Sequence, residues 1–359
     1  MSANTVGRTP SPFDCCRQTL RLNRFHWLVT GSAGFIGSHL VQGLLELGQT
    51  VTSLDNFSTG RRSNLDDVAS AVGSAQARAH QFIEGDIRDP DLCHRVCHNV
   101  DFVLHQAALG SVPRSIDDPV LVHRVNVDGY LNMLMAAREA GVRRFVYAAS
   151  SAVYGDYPTL PKTEHAIGSP LSPYAATKYI NELYAGVFAR CYGLPSVGLR
   201  YFNVFGARQD PHGPYSAVIP RWISALLRGE RVTINGDGET TRDFCYVQNV
   251  VQANLLAATT NEPSALNQAF NVGVGQRTSL NDLLRMLRHL LAEFGHEPKT
   301  TEPLHVQTRA GDIRDSQADI TKATVALGYQ PSYDLIAGLQ EAMPWFIRNL
   351  RQQPVPAAG

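Results

Sequence analysis

Short apolar runs and longer amphipathic runs alternate along the first 206 residues of the chain. The short runs are rich in branched and aromatic residues and predict six strands at 25–31, 50–56, 81–87, 101–108, 144–150 and 196–206. The longer runs have helical spacing and predict helices at 35–48, 89–100, 120–141 and 173–193. Strict alternation of strand and helix implies a parallel sheet covered by helices on both faces.

The pattern changes after residue 206, where Gly and Pro residues cluster between 206 and 217. The remaining chain predicts a helix, a short strand, a strand followed by a helix, and two further helices, at 218–229, 232–236, 244–260, 279–294 and 335–350. We therefore expect a polar N-terminal extension, a larger domain to which the chain returns once, and a smaller discontinuous domain, with the site in the cleft between the two domains. The corresponding ranges are 1–24, then 25–203 plus about 244–272, then 204–243 plus about 273–350.

Composition excludes several classes of function. The chain has 359 residues with 32 Lys plus Arg and 32 Asp plus Glu, so it lacks the basic excess of a nucleic-acid-binding protein. No apolar run is long enough to cross a membrane and the N-terminus does not resemble a signal peptide, so we expect a cytoplasmic protein with no membrane partner. The pairs Cys93/Cys97 and His94/His98 point in different directions on a predicted helix, and we expect no metal site.

A glycine loop follows the first predicted strand, with Gly31, Gly34 and Gly37 in the spacing G-x-x-G-x-x-G. Such glycines permit a tight turn, close approach of the backbone to a pyrophosphate, and close packing of the next helix on the strand. Asp55 ends the second strand, where a carboxylate binds ribose hydroxyls and repels a 2′-phosphate, which selects NAD over NADP. The fold class is therefore α/β, a Rossmann-type doubly wound parallel sheet that binds NAD, with a smaller mixed α/β C-terminal domain for the substrate.

The segment SPYAATK places a tyrosine and a lysine four residues apart at the start of a helix. Ser172 suits the N-cap and Pro173 the first helical position, so Tyr174 and Lys178 share one helix face. One interpretation is a surface tyrosine beside a surface lysine. The other is a phenol made more acidic by a fixed cation, which could then accept a proton near neutral pH.

The motifs TGSAGFIG, Asp55, GDI at 85–87 and YAATK at 174–178 occur in this order. Together they resemble the extended short-chain dehydrogenase/reductase family, in its nucleotide-sugar branch of NAD-dependent epimerases and dehydratases. The resemblance covers nearly the whole chain after residue 25. The stretches HQAALGSVPRS, LRYFNVFG and NGDGETTRDF are most similar to UDP-N-acetylglucosamine 4-epimerases of surface-polysaccharide synthesis.

This resemblance implies a reaction and a role for each catalytic side chain. Tyr174 takes the proton from a sugar hydroxyl, Lys178 assists it and binds the nicotinamide ribose, and Ser150 or Ser151 hydrogen-bonds the reacting oxygen. The implied activity is reversible C4 epimerisation of UDP-N-acetylglucosamine and UDP-N-acetylgalactosamine, with non-acetylated or uronic acid forms still open. The alternatives are a UDP-glucose 4-epimerase and a non-catalytic protein that senses dinucleotide. A 4,6-dehydratase would carry Thr-Asp-Glu where this chain has Ser150-Ser151-Ala152.

The resemblance also implies two sets of binding residues. The NAD set comprises Gly31, Gly34, Phe35, Ile36, Gly37, Asp55, Asn56, Phe57, Ser58, Thr59, Gly60, Asp86, Ile87, Gln106, Ala107, Ala108, Tyr174, Lys178 and Tyr201. The substrate set comprises Ser111, Ser150, Ser151, Tyr174, Asn203, Gln209, Ala217, Val218, Thr233, Asn235, Arg242, Arg309, Asp312 and Ser316.

The expectation that the substrate is an N-acetylated sugar depends on Ser316. Relatives that prefer plain UDP-glucose often hold a tyrosine there, and a serine leaves room for about an acetamido group. The family further implies a homodimer that packs through the long helices beginning near 120 and 173.

Overall fold

A seven-stranded parallel sheet forms the centre of the fold, in the order β11-β6-β5-β4-β1-β2-β3. A computed structural model of the chain describes residues 10–211, 217–297, 302–307 and 314–350. The strands are β1 (His26–Thr30), β2 (Thr50–Asp55), β3 (His80–Glu84), β4 (Phe102–His105), β5 (Arg144–Ser150), β6 (Ser196–Tyr201), β7 (Asn203–Phe205), β8 (Thr233–Asn235), β9 (Thr241–Arg242), β10 (Phe244–Tyr246), β11 (Gln268–Val272), β12 (Thr278–Ser279) and β13 (Leu304–Val306).

Helices cover both faces of this sheet, and further helices surround a separate apolar cluster in the C-terminal part of the chain, where a smaller domain is predicted. They are α1 (Pro12–Leu22), α2 (Phe35–Glu46), α3 (Arg62–Ala77), α4 (Pro90–Cys97), α5 (Val112–Asp117), α6 (Pro119–His123), α7 (Gly129–Ala140), α8 (Pro173–Tyr192), α9 (Val218–Arg228), α10 (Val247–Thr259), α11 (Leu280–Glu293), α12 (Thr321–Leu327) and α13 (Leu335–Leu350). A π-helical turn (Arg124–Asp128) links α6 to α7, and 3-10 turns occupy Ser151–Tyr154 and Pro263–Ala265.

The sheet confirms the predicted fold class. Its inner strands are buried along nearly their whole length, as expected for a parallel sheet between two helical layers. The strand order reverses between β1 and β4, so the crevice at the carboxyl ends of these strands is the expected place for a ligand.

Two apolar clusters fill the two faces of the sheet and a third lies in the C-terminal part of the chain. Trp27 lies in the first cluster with residues of α2 and α10, and Phe145 lies in the second with residues of α4 and α7. The third cluster surrounds Trp222 and joins α9, α11 and α13. Within the described part of the chain, no helix is both long enough and apolar enough to span a bilayer.

Several element boundaries differ from the predictions. The predicted strand 196–206 is divided at Phe202, so β6 remains in the main sheet while β7 pairs with β10. The predicted helix 120–141 is divided by the π-helical turn. Helix α3, which includes Gly73 at a non-helical φ of 78°, was not predicted.

The N-terminal extension also contains an unpredicted element. Helix α1 begins with a capping box, in which the Ser11 hydroxyl accepts from the Asp14 backbone N–H at 3.1 Å and the Asp14 carboxylate accepts from the Ser11 N–H. Cys16 and Leu20, four residues apart, bury their side chains in the first apolar cluster. This stretch is therefore a packed helix, because Cys16 and Leu20 share its buried face, whereas Leu22 is 77% exposed.

Candidate active site

A cavity of about 470 Å³ opens at the carboxyl ends of the central strands. Its wall contains all but two of the residues predicted to bind NAD, together with both serines predicted to contact the reacting oxygen. The predicted residues in the wall are Gly31, Gly34, Phe35, Ile36, Gly37, Asp55, Asn56, Ser58, Thr59, Asp86, Ile87, Gln106, Ala107, Ala108, Ser150, Ser151, Tyr174, Lys178 and Tyr201.

The glycine loop crosses the floor of this cavity between β1 and α2. Gly31 has φ +68°, and a β-carbon there would lie 2.7 Å from the backbone nitrogen of Ala107. A β-carbon on Gly37 would lie 2.1 Å from the carbonyl oxygen of Gly31. Both positions therefore require glycine, and together they bring the start of α2 close to β1. Gly34 caps α2 without a side-chain bond, so the first N–H groups of the helix can receive a phosphate.

Asp55 holds the edge of the loop at the end of β2. One carboxylate oxygen accepts from the Ala33 backbone N–H at 3.0 Å and the other from the Phe57 N–H at 2.7 Å. Burial raises the pKa of Asp55, and these backbone donors act in the opposite direction. A carboxylate has about four acceptor sites, so capacity remains for the two hydroxyls of a ribose. The glycine loop and Asp55 therefore fit a dinucleotide.

Polar side chains fix the wall opposite the loop. The Tyr201 hydroxyl donates to Gln106 at 3.0 Å and accepts from Asn254 at 2.9 Å, which ties β6 to α10 and to the segment after β4. On the adenosine side, Asn56 donates to Asp86 at 2.8 Å. An ion pair with Arg88 lowers the pKa of Asp86 to about 2, so this carboxylate is charged throughout the neutral range.

Ser150 lies close enough to the Tyr174 phenol to lower its pKa. Ser150 is the last residue of β5, and its Oγ also accepts from the Ala152 N–H at 3.1 Å, which orients the hydroxyl. Tyr174 is the second residue of α8, which Ser172 caps by accepting from the Ala175 N–H at 3.1 Å. Ser151 begins the 3-10 turn and lines the same cavity, but the described contact to Tyr174 comes from Ser150.

Lys178 is buried one turn after Tyr174, with its Nζ 6.0 Å from the centre of the tyrosine ring. The ammonium donates to the Ala148 carbonyl at 2.8 Å. Burial lowers the pKa of Lys178 to about 8, so it remains protonated at pH 7. Burial raises the pKa of Tyr174, and the neighbouring Ser150 lowers it. The structure therefore favours a half-buried tyrosine beside a serine and a buried cation over a solvated surface pair.

A second cavity of about 340 Å³ lies in the predicted smaller domain and meets the first at Asn203 and Val204. Its lining includes eight predicted substrate residues, which are Ser111, Asn203, Gln209, Ala217, Val218, Thr233, Asn235 and Arg242. Ser111 is held at φ 129°, a strained conformation for a residue with a side chain, and such strain is commonly kept at functional sites. The Arg242 guanidinium donates to the Arg314 carbonyl at 3.0 Å.

Some predicted residues are not brought to either cavity. Phe57 and Gly60 are not among the described lining residues of the first. Ser316 is buried with 8% exposure, its N–H donates to the Thr241 carbonyl at 3.1 Å, and it is not among the described lining residues of either cavity. Arg309 and Asp312 lie outside the described residues.

The cavities also contain residues that the sequence did not single out. Val125 enters the first cavity from the π-helical turn, a distortion that frequently marks functional sites. Arg221 and Trp222 line the second cavity from α9. Arg221 lies three residues after Val218, which was predicted to bind the substrate. Residues three apart share a helix face, so this spacing could have indicated Arg221 as a further lining residue.

Comparisons with known proteins identify the family. The model of the NAD dependent epimerase/dehydratase family matches residues 27–273. The chain belongs to this family. Membership confirms the predicted cofactor, NAD, and the predicted family resemblance.

Individual relatives differ in the sugar named for them. A UDP-glucose 4-epimerase from Mycolicibacterium smegmatis is 39% identical over 327 residues, which are 90% of this chain and 99% of that protein. The crystal structure of a UDP-glucose 4-epimerase from Thermotoga maritima with UDP-glucose has a TM-score of 0.82 and 38% identity, covering 90% of this chain and 99% of that one. A UDP-N-acetylglucosamine 4-epimerase from Methanobrevibacter ruminantium, in complex with UDP-N-acetylmuramic acid, has a TM-score of 0.82 and 37% identity, covering 91% and 99%.

Proposed function

We propose that this chain is a UDP-sugar 4-epimerase in which Tyr174 is the proton acceptor. The observation that carries this proposal is that Ser150, Tyr174 and Lys178 together line the cavity that contains the glycine loop, with the Lys178 Nζ 6.0 Å from the centre of the Tyr174 ring. The joined second cavity has the volume and lining for a nucleotide portion. Relatives named as UDP-sugar 4-epimerases, at 37–39% identity, support the same reaction.

The chain's own residues handle the proton of the reacting hydroxyl. Ser150 donates a hydrogen bond to the sugar 4-oxygen, which leaves the single proton of the 4-hydroxyl directed toward the Tyr174 oxygen that accepts it. Lys178, protonated at pH 7, stabilises the phenolate electrostatically. NAD, when bound, supplies reversible hydride transfer at C4, which makes the overall reaction an isomerisation with no net redox change. When C4 is reduced again, Tyr174 returns the proton to the sugar oxygen.

The residues after Ser150 argue against a dehydratase. Elimination of water needs an acid and a base beside the sugar, and the wall continues here with Ser151 and Ala152. Neither side chain titrates near neutral pH. Inversion at C4 needs no further acid or base.

The second cavity supports a nucleoside diphosphate as the carrier of the sugar. Ala217, at the N-cap of α9, has no side chain that bonds the first N–H groups of this 11-residue helix, and Ala217 and Val218 both line the cavity. Helix N-termini of this kind favour phosphate. Arg221 and Arg242 add donors of the type that bind phosphate oxygens in pairs.

For the sugar, we propose the N-acetylated pair, UDP-N-acetylglucosamine and UDP-N-acetylgalactosamine, as precursors of a surface polysaccharide. Ser316 supports this choice through the family resemblance, in which relatives that prefer plain UDP-glucose often hold a tyrosine at this position and a serine leaves room for about an acetamido group. We expect Ser316→Tyr to lose turnover of the acetylated pair and to keep turnover of UDP-glucose. Ser316→Ala is the matched control and should behave like the parent. Equal acetylated-sugar turnover in Ser316→Tyr would contradict this choice.

A UDP-glucose 4-epimerase is the second candidate, favoured by the relatives named for that reaction. The purified protein should be incubated separately with UDP-glucose, UDP-N-acetylglucosamine and its uronic acid form, without added cofactor, and the C4 epimers measured by NMR. A higher kcat/KM for UDP-glucose would select the second candidate. Absence of every epimer from the NAD-loaded protein would overturn both.

We further propose a homodimer that packs through α8 and the helices around the π-helical turn. Leu183 and Val187, four residues apart on α8, and Val120 and Leu121 on α6 are exposed apolar side chains. Light scattering should report twice the mass of one chain. Leu183→Glu should reduce that mass, and an unchanged dimer in this variant would argue for another interface.

A further inference from the structure

A buried ion pair lies behind the proposed catalytic residues. Arg200 on β6 and Glu182 on α8 form two parallel hydrogen bonds, from Nε to one carboxylate oxygen at 2.8 Å and from Nη2 to the other at 2.7 Å. The side chains are only 5% and 10% exposed. Neither residue is among those that line the NAD cavity, so the pair has no direct part in the chemistry.

The same guanidinium also contacts two segments that follow Ser150 in the chain. Its Nη1 donates to the Glu164 carbonyl at 3.1 Å, and it lies over the Tyr154 ring at 5.0 Å. Tyr154 ends the 3-10 turn that starts directly after Ser150, and its hydroxyl donates to Asn271 at 2.5 Å. One side chain therefore joins α8, the 3-10 turn and the loop between them.

The pairing register of β5 and β6 places Arg200 close to Ser150 in the sheet. Arg200 pairs with Ala149 across β5 and β6, directly before the pair Ser150 and Tyr201. On α8, Glu182 lies eight residues after Tyr174, so it is about 12 Å further along the helix and rotated by about 80° about the helix axis. The pair thus fixes α8 to the sheet one residue away from the strand position that carries Ser150.

We propose that Arg200 and Glu182 are positioning residues that hold the Tyr174 phenol beside Ser150. This inference rests on the proposed function. Tyr174 and Ser150 belong to different elements, so their separation depends on how α8 sits on the sheet. A buried ion pair is rarely better for stability than well-packed apolar residues, but its directional bonds can fix a geometry. An Arg–carboxylate pair with two parallel hydrogen bonds fixes the orientation of both side chains.

The test must separate positioning from an altered electric field at Tyr174. Tyr174 itself faces Ser150 from β5 and Lys178 from its own helix. Arg200→Lys keeps the positive charge and removes the paired hydrogen-bond donors, so it changes the electric field at Tyr174 only slightly. The other titratable or charged groups facing the pair are Tyr130, Tyr147, Tyr154, Glu164 and Lys322.

We expect Arg200→Lys, as NAD-loaded protein, to lower kcat about 10²-fold, since a displacement of about 1 Å costs that much, and to leave KM within about twofold. The pKa of Tyr174 should rise by about one unit as the contact with Ser150 is lost. This pKa is measured as the ultraviolet difference titration between a protein and its Tyr174→Phe counterpart, which requires no sugar.

Arg144→Lys is the matched control. Arg144 is also a buried arginine, at the opposite end of β5 and about 20 Å along the strand from Ser150, where it donates to the Thr260 carbonyl at 3.1 Å. This variant should lose stability without changing kcat or the Tyr174 titration. Should Arg200→Lys fail to fold, the double variant Arg200→Met with Glu182→Leu removes the pair without leaving a charge unpaired, and the same two effects are expected.

A folded Arg200→Lys or double variant with the parent's Tyr174 pKa would overturn the positioning role, as would equal effects from Arg144→Lys. If the parent epimerises no UDP-sugar, the proposed function fails, and the titration still decides the positioning role by itself.

Discussion

Removing the ammonium beside the tyrosine should change the pKa of Tyr174 by a predictable amount. Lys178→Met keeps the length and the apolar stem of the side chain and removes only its charge and its hydrogen bond to the Ala148 carbonyl. Because burial lowers the pKa of Lys178 only to about 8, the parent carries this charge at pH 7.

The magnitude follows from the distance. If the 6.0 Å between the Lys178 Nζ and the centre of the Tyr174 ring is taken as the separation of the charges, then at an effective dielectric constant of about 20 they interact by about 3 kcal/mol, equal to about two pKa units. Without the ammonium, the pKa of Tyr174 should rise by about that amount. The phenolate fraction at pH 7, and with it kcat, should then fall about 10²-fold.

The assay follows kcat from pH 6 to 10 for NAD-loaded parent and variant, beside the ultraviolet titration referenced to Tyr174→Phe. The acidic limb of the kcat profile should move to higher pH, and kcat is compared at pH 7, where Lys178 of the parent is protonated. Cofactor extracted from each preparation must be equal, because Lys178 also lines the NAD cavity. A variant with full NAD content and an acidic limb of the kcat profile within half a pH unit of the parent's would refute the electrostatic argument.

Three further predictions concern the scaffold of the site. Asp55→Ala should weaken NAD binding about 10- to 100-fold by calorimetry, through loss of a charge-assisted bond to ribose, and binding at the parent's affinity would reject that contact. Burial raises the pKa of Asp243 to about 6, so the folded state binds that proton more tightly than the unfolded state. The free energy of unfolding should therefore gain about 3 kcal/mol from this group as pH falls from about 6 to about 4, and urea melts of Asp243→Asn should lack that gain. Gly37→Ala places a β-carbon 2.1 Å from a backbone oxygen and should cost at least about 2 kcal/mol, whereas the control Gly186→Ala, on α8 with its nearest neighbour at 3.4 Å, should gain about 0.5 kcal/mol.

The sequence was sufficient where a local pattern determines both the backbone and the chemistry. Gly31, Gly37 and Asp55 are fixed by a strand–turn–helix unit whose requirements are visible in about 25 residues. The Tyr174–Lys178 spacing is helical, and its N-cap is visible in Ser172. These features predicted the sheet, the cofactor and the place of the first cavity.

Contacts between distant segments were not visible in the sequence. Arg200 and Glu182 meet only because β6 and α8 pack together, and neither belongs to a local motif. Arg221 reaches the second cavity only when α9 is folded. The sequence does not decide which of Ser150 and Ser151 lies beside Tyr174, because the two serines are adjacent. That choice depends on the direction in which β5 ends.

The phenolic oxygen of Tyr174 is the centre of the account, and deleting it tests the account most directly. The measurement is the rate of C4 epimerisation by folded, NAD-loaded Tyr174→Phe, followed by NMR on the sugar that the parent converts fastest. We predict a loss of about 10²- to 10⁴-fold in kcat with KM little changed, because the ring still packs and only the proton acceptor is gone. Conversion by this variant at the parent's rate would contradict the central claim.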